Sequence, residues 1–126
     1  MSYGILDTSV LIAADVEPIP GELAISAVSI AELQFGVLVA ADEARPARLS
    51  RLSAIQRRFD PLPVDELVAD SYAQLAAQVV KAGRQPRARV MDLLIAATAH
   101  AHGATVYTRN ADDLAGLDGL VDVVAV

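Results

Sequence analysis

Acidic side chains recur in this sequence at places where apolar segments begin or end. Asp7 directly follows an apolar run, Glu32 lies within a hydrophobic stretch, and Asp92 is flanked on both sides by apolar residues. A fourth acidic position, Asp112 or Asp113, follows another apolar run near the end of the chain. Because a buried carboxylate without a partner is costly, these acids are expected either to cap helices or to bind a cation.

The residue types indicate which cation such a site would take. Converging carboxylates without a histidine–cysteine set form a hard oxygen site, which suits Mg²⁺ or Mn²⁺ better than zinc. The chain has no cysteine, so a thiolate metal site and a cysteine nucleophile are both excluded. Magnesium, as one ion or two, lowers the pKa of water and neutralises the charge that develops on a phosphate. The acids therefore indicate hydrolysis of a phosphodiester.

Asp7 and Glu32 each have a structural alternative to metal binding. Asp7 ends a predicted strand, where open α/β sheets bind ligands, but it could also cap the helix that follows. Thr8 and Ser9 can cap that helix instead, which favours Asp7 as a ligand. Ser29-Ile-Ala-Glu32 fits a capping box, in which the glutamate reaches back to the backbone N–H of Ser29. For Glu32, spacing alone leaves both roles open.

The later acids are also ambiguous when each is taken alone. Asp92 lies in the first turn or two of a predicted helix, where the helix dipole would stabilise an exposed carboxylate by less than ~1 kcal/mol. That is little for an acid among apolar neighbours, so a cation explains Asp92 better. Helical spacing places Asn110 and Asp113 on one face. This favours Asp113 as the inward acid and Asp112 as a solvent-exposed one.

The elements that must position these acids are short apolar strands alternating with helices. Strands are predicted over 3–7, 23–28, 61–64 (an edge strand), 105–108 and 120–124. Helices are predicted over 10–14, 29–40, 45–59, 65–83 and 89–102, with a short piece within 110–114. Leu49, Leu52, Leu67 and Val68 are expected on buried helix faces, and Met91 at the edge of one. The pattern predicts an α/β fold whose mainly parallel sheet is covered on both faces.

Composition limits the class of protein. The 126 residues suit one compact domain, and the hydrophobic fraction of 54% excludes a disordered chain. The longest apolar runs fall far short of the ~20 residues that a membrane-spanning helix needs. No basic leader precedes Asp7, so a signal peptide is not expected. We therefore expect a cytoplasmic protein that does not enter a membrane.

The net charge of −6 argues against a nucleic-acid partner, but the distribution of basic residues permits one. Nine of the ten basic residues are arginines, and five of these lie within 45–58. Arginine suits forked contacts to phosphate. A solvated helix face is an equally good explanation, so the charge pattern is consistent with RNA binding without requiring it.

Taken in order, the motifs resemble the PIN-domain ribonucleases, in particular the VapC-type toxins of toxin–antitoxin pairs. The matching pieces are Ile-Leu-Asp-Thr-Ser at 5–9, Ser-Ile-Ala-Glu-Leu at 29–33 followed by Gly36, Asp-Leu-Leu-Ile-Ala-Ala-Thr-Ala at 92–99, and Thr-Arg-Asn-Ala-Asp-Asp-Leu at 108–114. No piece is specific alone, but the ordered set extends from end to end. The family usually has an aromatic residue where this chain has Leu114, which is a change in packing. The doubled acids at 112 and 113 leave the fourth site residue less certain than the others.

The resemblance implies one PIN domain over 1–126, a three-layer α/β/α sandwich with Mg²⁺-dependent endoribonuclease activity and Mn²⁺ as a substitute ion. It also implies a homodimer and a cognate VapB-type antitoxin that occupies the active-site groove. The implied catalytic and metal-binding residues are Asp7, Glu32, Asp92 and Asp113. Those implied as polar support are Thr8, Ser9 and Asn110. Arg109 lies beside the acids in the sequence and is a candidate contact to RNA phosphate, although an ordinary surface arginine explains it nearly as well.

Two functions of other classes compete with this hypothesis. The first is a PIN-like module that only binds a partner, and the intact set of acids disfavours it. The second is a receiver-like or phosphoryl-transfer protein with Asp7 as nucleophile. It is disfavoured because there is no Asp-x-Asp at that strand and because Lys81 is the only lysine. The RNA target, the antitoxin's identity and the number of metal ions are not encoded in any recognisable motif.

Overall fold

The structure is a computed structural model, and it describes residues 3–117 and 119–126. The strands are β1 (Tyr3–Leu6), β2 (Glu22–Ala24), β3 (Thr105–Thr108) and β4 (Val123–Ala125). The α-helices are α1 (Thr8–Ile12), α2 (Ala27–Leu38), α3 (Arg45–Arg58), α4 (Glu66–Lys81) and α5 (Val90–Ala101). Two short 3₁₀ helices span Pro86–Arg89 and Ala111–Leu114. The predicted domain range also takes in residues 1, 2 and 118, which lie outside the described residues.

The four strands form one parallel sheet in the order β2-β1-β3-β4. The central pair is β1 and β3, in which Ile5 lies beside Val106 and Leu6 beside Tyr107. Parallel neighbours need crossover connections, and helices supply them here. The predicted α/β class with a parallel sheet is confirmed.

Alternation along β1 and β3 divides the core between the two faces of the sheet. Ile5 and Val106 pack with buried side chains of α4 and α5. Leu6, with Tyr107 packed beside it, joins a second cluster that includes side chains of α2 and α3. Because successive strand residues point to opposite faces, one short strand anchors both helical layers. The result is the expected sandwich of helices, sheet and helices.

Two helices begin earlier than predicted, and both differences concern the candidate site. Helix α1 starts at Thr8, so Thr8 and Ser9 lie inside it and the predicted cap at those residues is wrong. Helix α2 starts at Ala27, and the side chain of Ser26 accepts a hydrogen bond from the backbone N–H of Val28. Ser26 is therefore the cap of α2, because its hydroxyl accepts from an N–H of the first turn that has no partner within the helix. This cap lies three residues before Ser29, the predicted start of the helix.

The predicted strand over 61–64 is wrong. Only Leu62 makes a bridge, to Ser26, beyond the end of β2. Pro61 and Pro63 lack the N–H that a ladder requires, which limits pairing to the residue between them. The strand expected over 23–28 ends at Ala24, and the one expected over 120–124 forms instead at Val123–Ala125.

Several apolar residues assigned to helix faces are in fact exposed. Leu52 and Val68 are buried as predicted, but Leu49 and Leu67 are 49% and 69% exposed. Successive residues lie about 100° apart around a helix, and the neighbouring elements cover the side of α4 that carries Val68 but not the side that carries Leu67. Met91 is also exposed, at 48%, so Asp92 is less enclosed by apolar side chains than expected.

No helix within the described part of the chain is long and apolar enough to cross a membrane.

We expect Gly4→Ala to lower the free energy of unfolding by about 2 kcal/mol, because the site leaves no room for a methyl group. A Cβ at Gly4 would overlap the ring of Tyr107 and lie 3.2 Å from Leu23 Cδ2. Gly36→Ala is a suitable control, since a Cβ there has only Arg48 Nη1 near it, at 3.8 Å. Alanine in that helix should raise stability by up to ~1 kcal/mol. Urea denaturation measures both, and unchanged stability of Gly4→Ala would contradict the close packing of β1 against Tyr107.

Candidate metal centre

The candidate site is built where β1 and β3 end side by side. Asp7 follows the last residue of β1, and its backbone N–H donates to the carbonyl of Tyr107 at 2.9 Å, which continues the pairing with β3. Thr108 is the last residue of β3. The two strand ends therefore bring residues from opposite ends of the sequence together, at the edge where α/β sheets bind ligands.

Asp7 is buried and held by two hydroxyl groups. Ser9 Oγ donates to Asp7 Oδ2 at 2.6 Å, and Thr108 Oγ1 donates to the same oxygen at 2.8 Å. Asp7 occupies the N-cap position of α1, yet its side chain makes no capping hydrogen bond. The cap alternative is therefore wrong for the side chain. Since both hydroxyls bond Oδ2, neither occupies Oδ1.

Thr8 holds Glu32 in a similar way. Thr8 Oγ1 donates to Glu32 Oε1 at 2.7 Å, and it lies 2.8 Å from Ser29 Oγ. The predicted capping box is wrong, because Ser29 is a buried residue inside α2 and not its cap. Glu32 is thus oriented by α1, the helix that directly follows Asp7.

The carboxyl group of Asp92 has a raised pKa, which shows how the site affects a negative charge. The pKa of its carboxyl is raised from 3.8 to about 6, first by burial and then by the charges of three other acids: Asp7, Asp113 and Glu32. Arg89 opposes the shift. Like charges disfavour ionisation only when they are close. The three other predicted acids therefore lie close enough to Asp92 for their charges to act on it.

The fourth acid of this group is Asp113. Its Oδ1 lies 3.2 Å from Arg89 Nη2 in a partly exposed salt bridge. Asp112 is exposed and is not among the charges that act on Asp92. The short 3₁₀ helix after β3 thus directs Asp113 toward the other acids and Asp112 to solvent.

The remaining predicted residues lie at the edge of the site. The backbone N–H of Asn110 donates to Thr108 Oγ1 at 3.0 Å, while the residue itself is exposed. Arg109 forms a salt bridge with Asp15 at 2.7 Å. This hydrogen bond and charge attraction raise the pKa of Arg109 and lower that of Asp15. In this structure the guanidinium of Arg109 is therefore paired with the carboxylate of Asp15.

Sequence reasoning missed two residues that contact the acids. Thr108 bonds Asp7 across 101 sequence positions, and Arg89 pairs with Asp113. A signal for Thr108 was present, because a polar residue at the last position of an apolar strand must meet a polar partner when it is buried. Arg89 had no such signal, since its partner is set by the fold.

The donor set fits a hard divalent cation. All four acids offer carboxylate oxygens, the ligands that Mg²⁺ and Mn²⁺ prefer. Over 3–117 and 119–126, no three acidic or imidazole groups stand close enough to form a preassembled metal cage. Besides its burial, the charges of Asp7, Asp113 and Glu32 raise the pKa of Asp92, so these carboxylates repel that of Asp92 at their present spacing. A cation would relieve that repulsion.

We expect Asp92 to destabilise the metal-free fold as pH rises. Its pKa is about 6 in the folded protein and near 3.8 when unfolded, so the folded state binds more protons between these values and stability falls across that window. The upper bound is ~3 kcal/mol, and partial exposure reduces it to about 1 kcal/mol.

Urea denaturation in EDTA tests this expectation with the Asp92→Asn variant, because asparagine at position 92 cannot ionise. At pH 7 the variant should be more stable than the wild type by about 1 kcal/mol. Near pH 4 the difference should shrink. A stability difference that is equal at both pH values, or a wild type that is more stable at pH 7, would show that the pKa of Asp92 is not raised in the folded protein.

Comparison with known proteins gives consistent matches along the chain. The family model described as the PIN domain matches residues 5–120. Ribonuclease VapC5 of Mycobacterium tuberculosis is 40% identical over 127 residues, covering 95% of this chain and 91% of that protein. Ribonuclease VapC8 of the same organism is 41% identical over 103 residues, covering 79% and 92%.

A solved structure extends the similarity to three dimensions. The crystal structure of VapBC-5, a member of the VapBC family of toxin–antitoxin systems from Mycobacterium tuberculosis, contains a chain that matches with a TM-score of 0.85 and 39% identity. The match covers 100% of this chain and 98% of that one.

Proposed function

The chain belongs to the PIN-domain family, and on that premise we propose that it is a Mg²⁺-dependent endoribonuclease, the toxin of a VapBC-type toxin–antitoxin pair. Its curated relatives are ribonucleases by name, which supports RNA as the substrate. The single observation that carries the proposal is that three other acids act on the partly buried carboxyl of Asp92, whose pKa is raised to about 6 by its burial and then by their charges. Such mutual repulsion is a cost to the fold, and cation binding explains it.

Asp7 and Asp92 are the principal ligands in this proposal, and Glu32 and Asp113 complete the shell directly or through water. Mg²⁺ is the ion, with Mn²⁺ as a substitute, because the donors are hard oxygens. When bound, the ion lowers the pKa of a water molecule and offsets the charge that develops on the phosphate.

The polar residues around the acids act by holding them in place. Ser9 and Thr108 fix Oδ2 of Asp7, and Thr8 fixes Oε1 of Glu32. Fixed ligands raise cation affinity because less freedom is lost on binding. Asn110 supports Thr108 through its backbone N–H.

Arg109 is the proposed contact to an RNA phosphate next to the acids. It would leave Asp15 when RNA binds, since the pair is exposed at the surface and such pairs are held weakly.

The partners follow from the same family membership. A VapB-type antitoxin is the proposed inhibitor, because a similar solved structure comes from a VapBC toxin–antitoxin system. We further propose that residues 1–126 form one domain and that two copies assemble as a homodimer. Size-exclusion chromatography with light scattering measures the oligomeric state.

Cleavage of total RNA by the purified chain tests the proposed function. With Mg²⁺ we expect discrete RNA fragments, and mapping their ends by sequencing identifies the target. EDTA should stop cleavage, and excess Mg²⁺ should restore it. Cleavage that continues in EDTA would contradict the role of the metal. A chain that binds RNA without cutting it would instead indicate a module that acts only by binding.

A further inference from the structure

A cavity adjoins the candidate metal centre on the side of α2 and α3. It has a volume of about 380 Å³, and Thr8 and Glu32 form one of its walls. Arg48 and Arg51 line it from α3. Because Glu32 belongs to both, a ligand in this cavity would lie directly beside the proposed cation.

The two arginines of this cavity differ in what they do for the fold. Arg48 Nη1 donates to the carbonyl of Gly36 at 2.9 Å, near the end of α2, and so has a structural task. Arg45, one turn before it, bonds the carbonyls of Val37 and Ala40 in the same region. Arg51 follows Arg48 by three residues along α3. It therefore lies about one turn farther than Arg48 from the carbonyl groups at the end of α2.

Arg51 carries an unsatisfied donor. Its Nε is buried, yet it has no hydrogen-bond partner within the described residues. A buried polar group without a partner is rare and costly. Nε is not open to the cavity in this conformation, so an oxygen of a ligand in the cavity would supply the missing acceptor once the guanidinium of Arg51 turned toward it.

The charge in this cavity favours an anion. Two guanidinium groups face one carboxylate, Glu32, which already accepts a hydrogen bond from Thr8. Guanidinium groups bind phosphate through paired N–H donors. A phosphate bound in this cavity would belong to the same RNA strand as the phosphate at the cation, on its 5′ or its 3′ side.

We propose that the cavity bounded by Glu32, Arg48 and Arg51 binds a phosphodiester that flanks the cleaved one, with Arg51 as its main contact. This inference rests on the proposed function, because it places a second phosphate of the same RNA. Arg51 is then a substrate-positioning residue that does not touch the reacting atoms. Its loss should weaken binding of RNA without slowing the chemical step.

Cleavage kinetics of Arg51→Gln on a short RNA with a mapped cleavage site test the proposal. We expect KM to rise about tenfold, as for loss of one charge-assisted hydrogen bond, while kcat stays within twofold. Arg57→Gln is the matched control, because Arg57 is exposed on the same helix. Its KM should change by less than twofold. Arg51→Lys, which keeps the charge, should lie between, and it remains informative if the glutamine variant fails to fold.

A substrate with one uncharged methylphosphonate links Arg51 to a particular phosphate. For the wild type, the neutral linkage at one flanking position should raise KM about tenfold. For Arg51→Gln the same linkage should add little, because the two changes remove one interaction. Effects that multiply at every flanking position would overturn the proposal.

Three other outcomes separate the possible failures. If the wild type cleaves RNA and Arg51→Gln matches it in KM, only the proposed phosphate site fails. If the wild type neither binds nor cleaves RNA, the proposed function fails and this inference fails with it. If an oligoglutamate peptide binds the wild type in an Arg51-dependent manner and RNA binding is unchanged in the variant, the cavity binds a protein carboxylate and the phosphate assignment is wrong.

Discussion

Replacing Asp92 with asparagine is expected to lower kcat/KM for RNA cleavage by about 10³-fold. A bound cation contributes several kcal/mol to stabilising the charge of the transition state, and ~1.4 kcal/mol corresponds to a factor of ten. Asparagine at this position keeps the size of the side chain but loses the charge that a hard cation needs. The variant should fold normally, because the change also removes repulsion from the neighbouring acids. Initial rates of RNA cleavage measure the loss.

Asp70→Asn is the matched control for this prediction. Asp70 is an exposed aspartate on α4 that accepts a hydrogen bond from Gln74, and it is not among the charges that act on Asp92. We expect its activity to equal that of the wild type. Full activity in Asp92→Asn would refute the assignment of Asp92 as a ligand, whereas equal loss in both variants would indicate a general effect on folding.

Asp113→Asn is expected to lower activity by about 100-fold, whereas Asp112→Asn should leave it within twofold. Asp113 acts on the charge of Asp92 and pairs with Arg89, but Asp112 does neither. The expected loss is smaller than for Asp92, because Asp92 is a principal ligand in this proposal and Asp113 only completes the shell. The two variants differ by one position and are compared in one cleavage assay.

The stability of these two variants distinguishes a metal ligand from a residue that only holds Arg89. Removing Asp113 breaks a partly exposed ion pair, which is worth at most ~1 kcal/mol. A large loss of activity with little change in unfolding therefore supports a role at the cation. If Asp112→Asn is the inactive variant, the assignment of the fourth acid is reversed.

The order of the elements and the convergence of the acids could be predicted from sequence. Strand β1 is a short apolar run that ends at a polar residue, and the parallel sheet follows from strands that alternate with helices. Once the sheet is parallel, Asp7 at the end of β1 and the acids after β3 must lie at the same edge. That step needs only the direction of the strands.

The local role of Glu32 could not be predicted in the same way. Ser26 and Ser29 are both good helix caps, and the sequence Ser29-Ile-Ala-Glu32 satisfies the capping-box pattern. The helix begins at Ala27 because Ser26 bonds the N–H of Val28. Ser29 is then enclosed in the helix and meets Thr8. Moving the helix cap by three residues, from Ser29 to Ser26, changes the explanation of Glu32. Sequence alone could not place this cap, because the ends of helices depend on local hydrogen bonds that compete at similar energies.

Long-range partners were also inaccessible to sequence reasoning. Thr108 bonds Asp7, and Arg89 meets Asp113, only because strand and helix ends are brought together by the fold. The exposure of Leu67 has a related cause, since periodicity defines an apolar stripe but not how much of it a neighbouring helix covers.

The arrangement of the acids represents a compromise between folding and function. Hydroxyl groups from α1 and β3 hold the carboxylates of Asp7 and Glu32 in place through hydrogen bonds. Asp92, in contrast, has a raised pKa, first because it is partly buried and then because the charges of the other acids act on it. Sites that bind a charged ligand commonly retain such unfavourable groups, whose cost is removed when the ligand binds.

Anomalous diffraction from crystals soaked in Mn²⁺ tests the central claim most directly. The predicted result is a strong anomalous peak between Asp7 and Asp92, about 2.2 Å from a carboxylate oxygen of each, given the spacing typical of hard divalent cations. Glu32 and Asp113 should border the same peak directly or through water. A peak elsewhere, or a fully soaked crystal without one among these four carboxylates, would contradict the account.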